Sequence, residues 1–324
     1  MGSSGLAVGT IGPPDSSRSV TVTSLLHGDE DAGLLVMHEL IEQLGLSWRA
    51  TGTIKLVPLA NPYAALACRR GTPMDGLDAN RVGAGKRTGQ FTEALVDMLT
   101  GVAADTDLMI NLHCYETVTA DAGVFVDPQD YRVRRAVLRA LAIARPSWVM
   151  IVPAGASIAS LDWALCERGV PAVSLELPRT DLMTPPDLTR MVGCVLRLLV
   201  DAGVAEVLGG AVDDQPAPGT DTAPRCYLRR AVRAAAMGVW LPRRELGARL
   251  AAGDVVGQLT AVPSWTVEDL VAPEPDEPAG GTEWTLLQTR PREVVRPNDI
   301  LFAVGTEDFK LRREMAEALE PADF

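Results

Sequence analysis

Residues 18–32 read RSVTVTSLLHGDEDA. The first nine alternate β-branched, small polar and aliphatic residues in the manner of a strand. That strand runs straight into His27, Gly28, Asp29 and Glu30. Histidine is scarce in this chain, occurring only at positions 27, 38 and 113. A hydrophobic strand that ends on one of the three, followed by two acids, therefore asks for a chemical explanation. Gly28 permits a tight turn, so His27 and Glu30 can aim at one point.

Two further strand ends carry groups of the same kind. TDLMINLH (106–113) closes on His113, and PAVSLELP (171–178) carries Glu176 near its end. Sites in open α/β sheets form at the carboxyl ends of strands, so these four residues can converge although they lie far apart in sequence. Two imidazoles and a carboxylate are a standard set for catalytic zinc with one position open for water. A further carboxylate outside that set can act as general base. Taken alone, a histidine at a strand end is more often a capping or core residue; the second strand-end histidine gives weight to the metal reading. His38, in the middle of a helical stretch, reads as a surface residue.

Working outward, strands are predicted over 19–26, 53–60, 106–113, 122–128, 147–153 and 171–178. Helices are predicted over 30–44, 91–104, 130–145, 160–168 and 186–202. The strands are nearly continuous apolar runs alternating with helices, which implies a sheet covered on both faces. Residues 1–208 read as an α/β domain with a mixed, mostly parallel sheet. A Pro/Gly/Asp-rich linker follows over 209–224. Residues 225–324 then show short β-like runs at 226–233, 237–241, 255–260, 284–289 and 300–304 among Gly and Pro turns, predicting a small all-β domain. The Arg-studded helix over 130–145 reads as having a solvated basic face.

The chain has 324 residues, 47% hydrophobic, with a net charge of −12. The charge argues against nucleic acid or an anionic membrane as main partner, since both require a basic surface. No apolar run approaches the roughly 18–20 residues needed to span a bilayer. The five cysteines (68, 114, 166, 194 and 226) are odd in number and lack metal-type spacing. They point to free thiols in a reducing cytoplasm.

The long loop over 61–90 is of the kind that carries function. Its LDANRV (77–82) supplies Asn80 and Arg81, a pair suited to gripping a carboxylate. Arg69 and Arg70 lie just upstream, where one can polarise a carbonyl. Taken alone, the loop also reads as simply solvated and basic.

HGDE, NPYA, DANR, the helix leading into DLMINLH, and VSLEL occur in that order. The ordered set resembles the zinc carboxypeptidase superfamily, and within it the succinylglutamate desuccinylase/aspartoacylase branch of deacylases, over about residues 18–205. The C-terminal segment resembles the small β domain appended in that branch. The resemblance implies one Zn2+ per chain held by His27, Glu30 and His113, and Glu176 as general base. It also implies Asn80 and Arg81 on the substrate carboxylate and an arginine at the oxyanion, for which Arg70 is chosen over Arg69. This sequence departs from the family pattern at Ala79, where Leu is usual, and at Asn111, where the usual D-L-H loses its charge. Asp29 in HGDE, in place of the commoner Asn, is a minor change.

The resulting expectation is a zinc-dependent amidohydrolase that cleaves an N-acyl amino acid or a similar small carboxylate-bearing amide, and the resemblance suggests a homodimer. Two alternatives stay open. One is a metallocarboxypeptidase releasing a C-terminal residue from a peptide. The other is a non-catalytic binding protein on the same fold.

Overall fold

The computed structural model describes residues 5–115, 117–152, 159–209, 223–274 and 283–320. Residues 210–222, most of the linker stretch, together with Glu116 and residues 153–158 and 275–282, lie outside the described residues. The elements of the first two thirds are, in order, β1 (Gly9–Ile11), β2 (Ser19–Ser24), α1 (Ala32–Glu42), β3 (Trp48–Ala50), β4 (Thr53–Val57), α2 (Pro62–Leu66), α3 (Phe91–Ala103) and β5 (Leu108–Cys114). They continue with β6 (Val118–Thr119), β7 (Ala122–Val126), α4 (Tyr131–Ala144), β8 (Trp148–Val152), α5 (Leu161–Cys166), β9 (Ala172–Leu177), α6 (Pro185–Asp201) and β10 (Ala205–Val207). The last third forms β11 (Arg225–Arg233), β12 (Gly238–Pro242), β13 (Arg249–Ala251), β14 (Val255–Ala261), β15 (Val267–Val271), β16 (Glu283–Thr289), β17 (Glu293–Val295), β18 (Ile300–Glu307) and α7 (Phe309–Glu317).

The main sheet runs in the order β1-β4-β2-β5-β9-β7-β8-β11-β18-β16-β13. Strands β4, β2, β5 and β9 are mutually parallel, and β7 runs antiparallel to β9. The expected mixed, mostly parallel architecture is therefore present. Helices α1, α6, α4 and α7 pack side by side over one face, and α3 and α5 pack together over the other. Coverage of both faces explains why β2, β5 and β7 are buried at every position rather than alternating.

Strand β11 pairs parallel with β8 and antiparallel with β18, which carries the sheet into the C-terminal segment. There β15-β14-β12-β17 form a second sheet closed over Trp240, Phe302 and their aliphatic neighbours. The composition gave no sign of α7, which ends this segment. Leu311 and Met315 bury its apolar side.

The solvated face expected for α4 is partly used in packing. Arg134 bridges Asp127 and Glu314 at 2.7 and 2.8 Å, so it joins α4 to α7, and Arg139 pairs with Asp201 on α6. These partners come from distant sequence and cannot be read from the helix itself.

Ile110, fully buried in the middle of β5, tests the importance of this core. Ile110→Ala is expected to cost about 2–5 kcal/mol of unfolding free energy in a denaturant titration. A loss below about 1 kcal/mol would contradict the packing described.

Candidate active site

Strands β2, β5 and β9 are neighbours in the sheet and end on the same edge. The chain leaves β2 through Leu25, whose φ of 53° turns it out of the strand. His27 and Glu30 follow in the next turn. Gly28 serves that turn by closeness rather than by an unusual φ. A Cβ there would lie 1.9 Å from the Ala64 carbonyl carbon in α2, so no larger residue fits. The Gly28 amide donates to the Arg69 carbonyl at 2.9 Å, fastening the turn to the loop after α2. Helix α2 is itself capped by Asn61, whose side chain accepts from Ala64 N.

His113 lies in β5 and stands opposite Glu176 in the β5–β9 register. His27, Glu30 and His113 are all buried, and one possible ligand atom from each lies within 4.8 Å of the others. Glu30 is the hub of the three. Its Oε1 is 2.8 Å from His27 Nδ1, and its Oε2 is 2.7 Å from His113 Nδ1. Burial alone would raise the Glu30 pKa, but the two imidazoles hold the carboxyl well below its usual range. Burial alone would lower that of His27, but Glu30 and Asp78 outweigh it and raise the imidazole to about 9. This donor set, two imidazole nitrogens and an ionised carboxylate converging in a buried spot, fits a metal ion.

The second nitrogen of His27 is 2.9 Å from Asp78 Oδ1. Metal-ligating histidines are commonly oriented by such a carboxylate. Asp78 also accepts from Arg70 Nε at 2.9 Å and from the Asn80 amide at 2.8 Å. It therefore organises the whole LDANRV loop, although the sequence reading gave it no role. Its place two residues before Asn80 was the available signal.

Arg70 reaches Glu30 through Nη1 at 3.2 Å and lines the pocket. Arg69 is exposed. Asn80 Oδ1 accepts from the Leu161 amide at the start of α5, and the more exposed Arg81 stands beside it at the pocket wall. Glu176 lines the same pocket, half-buried; burial, opposed by His113 and reinforced by Glu30, pushes its carboxyl up to about 7. The structure thus brings all seven sequence-predicted site residues to one cavity of about 520 Å³. Cys114 is also at the wall, with its thiol pushed up by burial, and Tyr115 lines the pocket as well. His38 is exposed on α1.

Asn111 lies fully buried beneath His113. It accepts from Thr23 Oγ1 at 2.9 Å and donates to Asp162 at 3.4 Å; Ser174 also donates to Asp162. An aspartate at position 111 would set two buried carboxylates against each other, whereas an amide can both accept and donate. The carboxyl group missing at 111 is supplied by Asp162, from α5. Nothing local in the sequence announces that pairing.

Comparison with known proteins fits this geometry. The sequence profile of the succinylglutamate desuccinylase/aspartoacylase catalytic domain matches residues 16–201. The chain belongs to this family. It is 30% identical over 185 residues to the N-alpha-acetyl-L-2,4-diaminobutyric acid deacetylase of Halomonas elongata. That match covers 56% of this chain and 53% of the relative, so the chain spans about half the length of the curated relative it matches. A succinylglutamate desuccinylase/aspartoacylase structure from Rhodobacter sphaeroides superposes with a TM-score of 0.73 at 19% identity, covering 90% of this chain and 87% of the other. The product-bound ectoine utilization protein EutE (DoeB) of Ruegeria pomeroyi gives 0.72 at 19%, covering 90% and 85%. These structural matches extend through the C-terminal segment, so the expected fold holds for nearly the whole chain.

Two outcomes are expected for the site. Asp78→Asn should weaken metal retention about 10–100-fold in a chelator competition, with the fold intact by circular dichroism; unchanged retention would remove Asp78 from the site's support. A metal also needs neutral His27, which in metal-stripped protein stays protonated up to about pH 9. Metal loading at neutral pH should therefore release a proton, and affinity should strengthen as pH rises toward that value. An affinity flat across this range would contradict the raised pKa.

Proposed function

We propose that this chain is a zinc-dependent deacylase that hydrolyses the amide bond of an N-acyl amino acid or a similar small carboxylate-bearing amide. The observation that carries the reading is the meeting of His27, Glu30 and His113 with Glu176 on the adjoining strand, in one pocket that also holds Arg70, Asn80 and Arg81. The family supports amide hydrolysis, and the deacetylase relative supports an N-acyl amino acid as the substrate type.

His27, Glu30 and His113 would hold the ion. Bound there, zinc supplies a Lewis acid that acidifies water and polarises the acyl carbonyl. Glu176 takes a proton from the attacking water and delivers it to the departing nitrogen. Its raised pKa suits both halves of that exchange near neutral pH. Arg70 adds positive charge where the carbonyl oxygen gains negative charge, while its bonds to Asp78 and Glu30 hold it in place. Asn80 and Arg81 bind the substrate carboxylate, Arg81 by a bidentate grip.

The C-terminal segment also walls the pocket, through Arg229 and Arg233 of β11 and through Asn298, Asp299 and Ile300. That wall favours a small acylated amino acid over the end of a long peptide, which sets the deacylase reading above a carboxypeptidase.

Glu176→Gln should lower kcat/KM on an N-acyl amino acid by about 10²–10⁴-fold while leaving bound metal unchanged. The base must be ionised, so wild-type activity should fall as pH drops through the Glu176 pKa, at about 7 or below once a cation adds its field. A Glu176→Gln enzyme with wild-type turnover would overturn the assignment.

A further inference from the structure

Two buried side-chain atoms in the pocket have no hydrogen-bond partner among the described residues, His113 Nε2 and Thr117 Oγ1. His113 belongs to the metal centre proposed above. Thr117 has no part in the hydrolytic scheme. It lies between β5 and β6 and is 2% exposed. Buried polar groups in folded proteins are nearly always hydrogen-bonded, and leaving a buried hydroxyl unpaired costs stability. A hydroxyl held at that cost in the wall of a cavity is placed to meet a ligand.

The surroundings say what kind of group it would meet. Val124 and Val126 of β7 lie opposite Met150 and Val152 of β8, and all four line the pocket. Residues two apart on a strand share a face, so these side chains form one apolar block on the pocket side of the sheet. On β9, the next strand, Ser174 stands opposite Val124. The Tyr115 hydroxyl is 3.5 Å from Met150 Sδ, which brings the segment leading to Thr117 against the edge of the block.

A carboxylate or an ammonium set over this block would lose hydration that valine and methionine cannot replace. The acids nearby are already engaged. Asp162 accepts from Ser174 and Asn111, Asp299 accepts from the Arg296 amide, and Glu30 and Asp78 are bound to His27 and Arg70. The Thr117 hydroxyl can both donate and accept, so it suits an uncharged polar group at the end of an aliphatic stem.

We infer that Thr117 is a specificity-determining residue that hydrogen-bonds an uncharged hydroxyl-type group of the substrate, whose aliphatic stem rests on Val124, Val126, Met150 and Val152. The inference rests on the deacylase reading for the identity of the pocket. It separates this chain from its Halomonas elongata relative, named for diaminobutyric acid, whose side chain ends in an amine. The hydroxyl can belong to the amino-acid part or to the acyl part of the substrate, and the test distinguishes these sources.

Calorimetry with unreactive probes on metal-loaded protein reads this site without turnover. L-homoserine, L-norvaline and L-2,4-diaminobutyrate share one stem and end in a hydroxyl, a methyl and an amine. Glycolate and propionate make the same exchange of hydroxyl for methyl on an acyl product. In at least one set the hydroxyl member should bind about tenfold more tightly than the others. Preference in the first set assigns the group to the amino-acid part, and in the second to the acyl part. Thr117→Val should abolish the preference and Thr117→Ser should keep it. Because the hydroxyl has no protein partner to lose, metal-free Thr117→Val should unfold at the wild-type temperature or above it. Equal binding within both sets, which would mean that Thr117 meets only water, overturns the inference. So does tighter binding of the amine, a preference that survives Thr117→Val, or a Thr117→Val protein that unfolds well below the wild type. Turnover of N-acyl amino acids is scored separately. Its absence beside a Thr117-dependent preference would count against the deacylase reading and leave the hydroxyl site standing; turnover without the preference would do the reverse.

Discussion

Strands β2, β5 and β9 lie side by side and parallel, with His113 opposite Glu176 across the β5–β9 pair. A slip of one residue in that pairing would turn one of the two to the other face of the sheet. The register is held by full burial of β2 and β5, because every alternative exposes aliphatic side chains or strands polar ones. The polar ties across these strands act in the same direction. Thr23, Asn111, Asp162 and Ser174 form a buried chain of hydrogen bonds that crosses β2, β5, α5 and β9. Such a chain is satisfied in only one arrangement.

On this platform the loops supply what the strands cannot. The β2 turn carries His27 and Glu30, and its closeness to α2 leaves room only for glycine at position 28. Asp78 then ties the far nitrogen of His27 to Arg70 and the Asn80 amide. His27, Glu30 and His113, the Arg70 beside them and the Asn80–Arg81 pair are consequently one connected unit, and a change at Asp78 reaches all of them. The C-terminal segment closes the pocket from the other side through Arg229 and the 297–300 turn.

Much of this was legible in the chain itself. Continuous apolar runs marked the buried strands, and the scarcity of histidine drew attention to positions 27 and 113. Ordered motifs in the manner of a known family then linked residues far apart in sequence, and all seven nominated residues line one cavity. What could not be read depends on partners brought together only by folding. Asp162 reaches Asn111 across 51 positions, and Arg134 meets Glu314 across 180. The short edge strands β1, β3, β10 and β13 have too few residues to show a period. Helix α7 lies in a polar stretch whose burial rests on Leu311 and Met315, too few apolar positions to stand out among the β-like runs around it.

The most direct test of the account is the metal content of purified protein, wild type against His113→Ala, measured by elemental analysis after zinc loading and removal of free ion. The expected result is about one zinc per chain in the wild type and almost none in the variant. A well-folded wild type that holds no metal, or a His113→Ala protein that holds as much as the wild type, would contradict the metal centre on which the proposed function rests.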